Sequence, residues 1–358
     1  MSLLFSEVPL LAHLPPTQPD KLTTMPKFNS SLARRCGVVA TALLCLACVP
    51  AHGQPTAGSD WPNKPVRIVS PFTPGGSSER LSRLLAQKLQ EHFKQSFVID
   101  SRPGAGGVIG SELVVRSAPD GYTLLLSSLA SQVIAPVVQK TPYDGLRDFT
   151  HVSVLGGPPT LLVVGPGLEV KDIKEFVARA KAKPGSITYG TPGNGTHGHL
   201  IGELLRKHAN IEITHVPYKG AGPVNTDLIG GHLPAASITL SSVAPQLKAG
   251  KLRGLASTAA RRTAEFPDIP TYAESGYPEL TAITWFGISG PAGMPANVVA
   301  ALNREIRRAM QSAEIREALR PEGFEILDLD PAQTLDYFRR ETERWQPVAR
   351  SSSAGKSQ

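Results

Sequence analysis

From Trp61 onward the chain alternates short apolar, β-rich runs with segments whose apolar residues fall at helical spacing. This alternation restricts the fold more than any other feature. "VRIVSPF" is almost continuously apolar, as in a strand covered on both faces. The next segment places Leu81, Leu84, Leu85, Leu89 and Phe93 on one helical face. "FVIDSRPG" and "YTLLLSS" read as strands around the helix-like "GVIGSELVVRSA". "FTHVSVLGG" and "LLVVGPG" follow in quick succession. Then come the helix "VKDIKEFVARAKA", the strand "ITYGTPG", a helix from His197, the strand "ITHVPYKG", the helix "GPVNTDLIGG", a short apolar strand over 235–239, and "LRGLAST". Strands interleaved with helices predict an α/β chain with a largely parallel sheet or sheets.

The length exceeds what one hydrophobic core usually organises, so two domains are expected. No Pro/Ser-rich linker separates them, so the domains should be joined by crossing strands, near 156–159 and 285–290. That makes the first domain discontinuous, 54–156 plus 286–350, with 157–285 as the second. The helices "ANVVAALNREIRRAMQ" and "PAQTLDYFRRETERW" then return to the first domain, and 351–358 form a polar, disordered tail.

The first 53 residues read as an export leader. Lys27, Arg34 and Arg35 precede the apolar run "CGVVATALLCLACV", and Ala51 and Gly53 suit signal-peptidase cleavage before Gln54. The run is shorter than the roughly 20 residues a membrane-spanning helix needs. Met25 is a plausible initiator. Lipidation at Cys48 is the lesser alternative, because Cys45 stands three residues before it where a Leu is usual. Cys36, Cys45 and Cys48 all fall in this leader, which leaves a mature chain without thiol catalysis, thiolate metal sites or disulfides. A periplasmic location follows.

The chain carries a formal charge of +7; without the leader, which holds four basic and two acidic residues, it is +5. The cations are scattered, with few aromatics between them. This pattern suits mild attraction of anions and excludes a nucleic-acid surface.

Two strand–glycine-loop–helix units stand more than a hundred residues apart: "SPFTPGGSSERLSRLLAQKL" and "ITYGTPGNGTHGHLIGELL". In open α/β sheets ligands sit beyond the carboxyl ends of strands, next to helix N-termini. Glycines let backbone approach a ligand, and the first helical turn presents N–H groups without intrahelical acceptors. Such an end is an anion site. Ser77 and Ser78 add hydroxyls or a cap in the first loop, as Asn194 and Thr196 do in the second. One such loop is more often a capped turn than a binding site. Two matched loops in one exported chain point to two halves of a single site.

Sharper readings fail. "GNGTHG" matches G-x-G-x-x-G, but the following strand ends in Lys219 rather than the acid a dinucleotide ribose requires. There is no phosphate-binding G-x-x-x-x-G-K-[ST] and no G-x-S-x-G nucleophile elbow. His197 and His199 diverge on a helix, and no acidic cluster completes a metal shell. No cofactor and no metal are expected.

The blocks "WPNKPVRIVSPFTPGGSSE", "SRPGAGGVIGSELVVRSAPDGYTLLL", "YGTPGNGTHGHLIGELL", "VPYKGAGPVNTDLIGG", "AGKLRGLAST" and "WFGISGPAGMP" resemble the Bug-type extracytoplasmic solute receptors, the binding-protein family of tripartite tricarboxylate transporters. The resemblance runs from Trp61 to about Trp345. It implies a two-domain type II periplasmic-binding-protein fold whose interdomain cleft closes on a small carboxylated ligand. The family's cleft loops correspond to 72–78, 193–199 and 127–131. The implied ligand-binding residues are Phe72, Thr73, Pro74, Gly75, Gly76, Ser77, Ser78, Ser128, Ser131, Gly193, Asn194, Gly195, Thr196 and His199. Two departures stand out. Glu79 replaces the family's usual Asp, and Ser237 and Ile238 stand where many members carry an aromatic and an Asp. If that Asp recognises ligand amino groups, its absence argues against an amino-acid ligand.

The function this implies is a monomeric periplasmic receptor, not an enzyme. It would deliver a small organic anion to the membrane components of a tripartite tricarboxylate transporter or report it to a sensor kinase. The alternatives are an exported hydrolase or lyase using a Ser and His199, and a ligand-free adhesion protein with a filled cleft.

Overall fold

The computed structural model describes residues 61–72 and 77–352. The leader, the loop residues Thr73, Pro74, Gly75 and Gly76, and the tail 353–358 lie outside the described residues.

Eleven described strands form two sheets. The first has six strands in the order β11-β4-β10-β3-β1-β2. Its members are β1 (Val66–Ser70), β2 (Phe97–Ser101), β3 (Thr123–Ser128), β4 (Phe149–Gly157), β10 (Phe286–Pro291) and β11 (Glu325–Ile326). The second has five, β7-β6-β8-β5-β9. These are β5 (Thr160–Val164), β6 (Ile187–Thr191), β7 (Ile213–Pro217), β8 (Ala235–Thr239) and β9 (Arg253–Ser257).

The expectation of largely parallel sheets needs correction. β1 runs parallel to β2 and β3, and β6 runs parallel to β7 and β8. But β10 is antiparallel to β3 and β4, and β5 is antiparallel to β8 and β9. The chain leaves the first sheet after Gly157, enters the second at Thr160, and returns through β10. A strand arriving directly from the other sheet has no crossover helix to reverse it, so it enters antiparallel.

The first sheet buries its central strands under helix α1 (Ser77–Phe93), whose Leu81, Leu85 and Leu89 are buried as the spacing predicts. They pack with Val298, Leu302 and Ile306 of a later helix, Ala296–Met310. Helices α2 (Val108–Val115) and α3 (Ala135–Val138) follow β2 and β3. Around the second sheet lie α4 (Ile173–Ala182), α5 (His197–His208), α6 (Ala221–Ile229) and α7 (Leu240–Lys248).

The chain closes with α8 (Ala296–Met310), α9 (Ala313–Leu319) and α10 (Pro331–Ser351). Asp330 caps α10 with a reciprocal capping box to Gln333. The last helix extends through Ser351 and Ser352 is buried, donating its hydroxyl to Ala349 O, so the expectation of disorder from 351 needs correction at these two residues.

Helix α10 joins the two layers. Glu341 Oε2 accepts Trp345 Nε1–H at 3.0 Å and Trp285 Nε1–H at 2.8 Å, with all three residues buried. Trp285 sits immediately before β10, so the returning segment is fastened to the C-terminal helix.

Candidate functional site

The carboxyl ends of β1, β3, β6 and β8 border one cavity of about 220 Å³. From the first sheet it is lined by Phe72 after β1, by Ser77 and Ser78 at the start of α1, by Ser128, Leu129 and Ala130 after β3, and by Phe286 at the start of β10. From the second sheet come Pro192, Thr196, His197 and Gly198 after β6, then Ile238, Thr239, Ser241 and Ser242 around the β8–α7 junction. Pro158 and Thr284, from the two segments passing between the sheets, complete it. A groove of about 870 Å³ around Lys171 and Lys251 lies at the other end of the second sheet, near the start of β8.

The loop into α5 is built by its own polar groups. Gly195 has φ of 71° and Gly193 of 150°, conformations that an L side chain would strain. Thr196 is the N-cap of α5: its Oγ1 accepts His199 N–H at 3.4 Å and donates to Gly193 O at 2.8 Å. The N–H groups of His197 and Gly198 belong to the first turn and have no intrahelical acceptor. Gly198 packs so tightly on β8 that a Cβ there would collide with Ser237 O. Only glycine lets this helix end abut the strand.

His197 is buried at the cleft floor. Its Nδ1 lies 2.8 Å from Thr160 Oγ1 and 2.9 Å from Thr284 Oγ1. Its ring meets Trp345 edge-on at 5.2 Å. Burial pushes the imidazole down to about 3, helped by the nearby Arg344 charge, so it is neutral at physiological pH. His199, placed in the site by the resemblance, is turned away from the cavity. Its Nδ1 accepts Gly195 N–H at 3.1 Å, and its ring stacks on His215 with centroids 4.0 Å apart. Burial lowers the pKa of both rings; His215, where the His199 charge adds to burial, falls to about 3.

Phe72, Ser77, Ser78, Ser128 and Thr196 are therefore brought together on the cavity wall. Ser131, Gly193, Asn194, Gly195 and His199 are not part of its described lining. Ser131 is fully buried, with its Oγ 3.1 Å from Ser128 Oγ and its N–H on the same oxygen at 3.2 Å. It orients a lining hydroxyl rather than lining the cavity. Thr73, Pro74, Gly75 and Gly76 fall outside the described residues.

The sequence reading missed three contributors. The first is α7, whose hydroxyl-rich start "TLSS" faces the cavity: Thr239 Oγ1 lies 2.9 Å from Ser242 Oγ and accepts from Ser241 Oγ at 3.3 Å. Leu240, Val243, Ala244 and Leu247 carried the helical signal, but Pro245 inside the helix disguised it. The second is the passing segment with Pro158, Thr284 and Phe286. The third is Ile238, named in the sequence only as a departure from the family and not as a lining residue: it faces the cavity, while its neighbour Ser237 is buried behind the α5 terminus, as strand alternation requires.

Three helix N-termini thus converge on a cavity whose described lining contains no Lys, Arg, Asp or Glu. No three His, Cys, Asp or Glu side chains among the described residues are grouped to hold a metal ion.

Such a cleft between two mixed sheets defines a solute-binding protein of the type II periplasmic class. Residues 81–353 match the family described as "Tripartite tricarboxylate transporter family receptor". The chain belongs to this family and is a solute receptor of it. It is 36% identical to protein BugT of Bordetella pertussis over 302 residues, covering 84% of this chain and 93% of that one. Among solved structures, Rpa4515 of R. palustris with adipate superposes with a TM-score of 0.75 at 36% identity, over 83% of this chain and 99% of that one. The periplasmic binding protein BugD gives a TM-score of 0.72 at 28% identity, over 82% of this chain and 99% of that one.

Proposed function

We propose that the protein captures a small organic carboxylate in this cleft in the periplasm and presents it to the membrane components of a tripartite tricarboxylate-type transporter or to a sensor kinase. The observation that carries the reading is the convergence of three helix N-termini on a cavity whose described lining has no Lys, Arg, Asp or Glu. Helix N-termini favour anions through their dipoles and free N–H groups. Neutral donors hold a carboxylate without burying a cation, whose desolvation would cost several kcal/mol in the empty cleft. The adipate held by the structurally similar Rpa4515 supports this ligand class. BugD, a periplasmic binding protein, supports the location.

In this reading the carboxylate rests on the first turns of α1 and α5, with Phe72, Ser77, Ser78, Ser128 and Thr196 around it and the loop Thr73, Pro74, Gly75 and Gly76 completing the cradle. Ser131, Gly193, Asn194, Gly195 and His199 shape the loops. The receptor is a monomer whose domains, 54–156 plus 286–350 and 157–285, close over the ligand.

It binds without turnover. Both histidines near a loop are neutral and engaged, His197 with two threonines and His199 with Gly195 and His215.

Native mass spectrometry of the purified protein and a thermal-shift panel of carboxylates test the proposal. A ligand at a hundred times its Kd stabilises by about 2.7 kcal/mol, so a real ligand raises the melting temperature by several degrees. A protein that retains no organic acid and is unmoved by the whole panel would overturn it.

A further inference from the structure

We infer that the cleft selects carboxylates whose body is bare hydrocarbon, ring or short chain, and disfavours those bearing amino or hydroxyl substituents. This deepens the receptor reading and rests on it.

The walls away from the helix ends are apolar. Phe72 and Phe286 meet edge-to-face with centroids 5.7 Å apart. Leu129, Ile238 and Pro158 lie on the same cavity, and Leu129 and Ile238 are buried. The described lining offers no acid to meet an ammonium group. Several of its hydroxyls away from the start of α1 are already engaged. The Thr196 proton is committed to Gly193 O, Ser128 Oγ is shared with the Ser131 side chain and backbone, and Thr239, Ser241 and Ser242 form their own cluster. What remains are the helix N–H donors, the Ser77 and Ser78 hydroxyls that open α1 and the His197 ring that opens α5, and all of these stand at the helix ends, where an anionic end group is held. A substituent on the ligand body would lie against Phe72, Phe286 and Ile238, and would lose its water without finding a partner. At about 220 Å³ the cavity is smaller than the roughly 300–1,000 Å³ typical of drug-sized ligands, so there is little room for a bridging water shell around such a group.

Matched series test the idea by titration calorimetry: succinate against malate and aspartate, and adipate against 2-aminoadipate. The unsubstituted member of each series should bind at least tenfold tighter, the scale on which an apolar pocket discriminates against an added polar group being about ten- to hundredfold. Phe72→Ser or Ile238→Ser should shrink that gap to less than threefold. Phe72 is only partly buried on a loop, so its variant is the safer for folding. Malate, aspartate or 2-aminoadipate binding as tightly as its parent would overturn the inference while leaving the receptor reading intact. A gap unchanged in both folded variants would overturn the apolar wall as its origin. If no carboxylate binds in either series, the receptor reading falls and the selectivity with it.

Discussion

His197 Nδ1 lies 2.9 Å from Thr284 Oγ1, and the same nitrogen lies 2.8 Å from Thr160 Oγ1. Thr160 opens the strand that enters the second sheet, and Thr284 lies on the segment that returns to the first. One imidazole in the first turn of α5 therefore touches both passages between the sheets, at the floor of the ligand cleft. Its other face rests on Trp345 of α10, which shares Glu341 with Trp285. Candidate site, passing segments and C-terminal helix form one connected set of contacts.

Replacing His197 by Ala should therefore cost stability and affinity together. The buried Thr160 hydroxyl and the half-buried Thr284 hydroxyl lose their shared partner, which costs about 1–3 kcal/mol. His197→Asn keeps a polar group there and should cost less. Guanidinium denaturation of both variants, followed by carboxylate titration, measures the two effects. A His197→Ala protein of unchanged midpoint would contradict the role given to these contacts.

Thr196→Val should act through the helix cap. The lost side-chain acceptor for His199 N–H costs about 1–2 kcal/mol of stability. Binding should weaken by about tenfold as the first turn loosens, equivalent to about 1.4 kcal/mol. Thr196→Ser restores the oxygen and should restore both. Thermal melts with and without ligand read the outcome; a valine variant that binds normally would show that the first turn holds its shape without the cap.

Glu341 is a buried acceptor for two indole N–H groups, and burial raises its pKa. Glu341→Leu leaves both indoles unsatisfied and should destabilise by about 2–6 kcal/mol, at roughly 1–3 per orphaned donor. Glu341→Gln retains an acceptor oxygen and should cost less than half as much. Equal losses in urea denaturation would argue against the shared carboxylate as the organising contact.

Acidification should weaken the fold through its buried histidines. Burial lowers His151 to about 4 and His197 to about 3, from an ordinary 6.5. Above 6.5 both folded and unfolded states are neutral and the contribution is complete. As pH falls below that value the unfolded chain takes up protons that the fold refuses, so stability declines towards pH 4 and 3 by about 1.4 kcal/mol per pH unit per histidine. Glu322 and Glu341, both raised by burial, act with the opposite sign. Denaturation at pH 7.5, 6.0 and 5.0 should therefore show the decline in wild type and a flatter profile in His151→Asn and His197→Asn. An equal slope in all three proteins would remove the histidines as its source.

Arg80→Ala should change ligand affinity less than threefold. The guanidinium is exposed, lies 3.6 Å from Glu322 and donates to Ala318 O at 3.4 Å, away from the cleft lining. Calorimetry with the best ligand decides. A collapse in affinity would show that a cation reads the carboxylate and that the helix ends do not.

Much of the layout was legible because it rests on local chemistry. Leu81, Leu85 and Leu89 announced their helix by spacing. Glycines 193 and 195 announced a loop that turns where other residues strain. The hydroxyl before His197 announced a cap. Those signals lie within a few residues of what they specify. Helix α7 escaped because Pro245 interrupts its pattern, and the orientation of His199 was not legible because a residue's position in a cleft loop does not say which way its ring turns.

The sequence by itself determined the alternation of strands and helices, the glycine loops beyond two of the strands, and the family to which the chain belongs. Each is a property of contiguous residues: apolar period, backbone freedom at glycine, the cap at a helix start. Only the tertiary structure decided that β5 and β10 enter their sheets antiparallel, that Thr160 and Thr284 meet on His197, and that Phe72, Phe286 and Ile238 share one wall of the cleft. Those relationships join residues up to about 200 positions apart. They are set by how two cores pack around the segments passing between them, a long-range balance of burial and hydrogen bonding that no short stretch of sequence encodes.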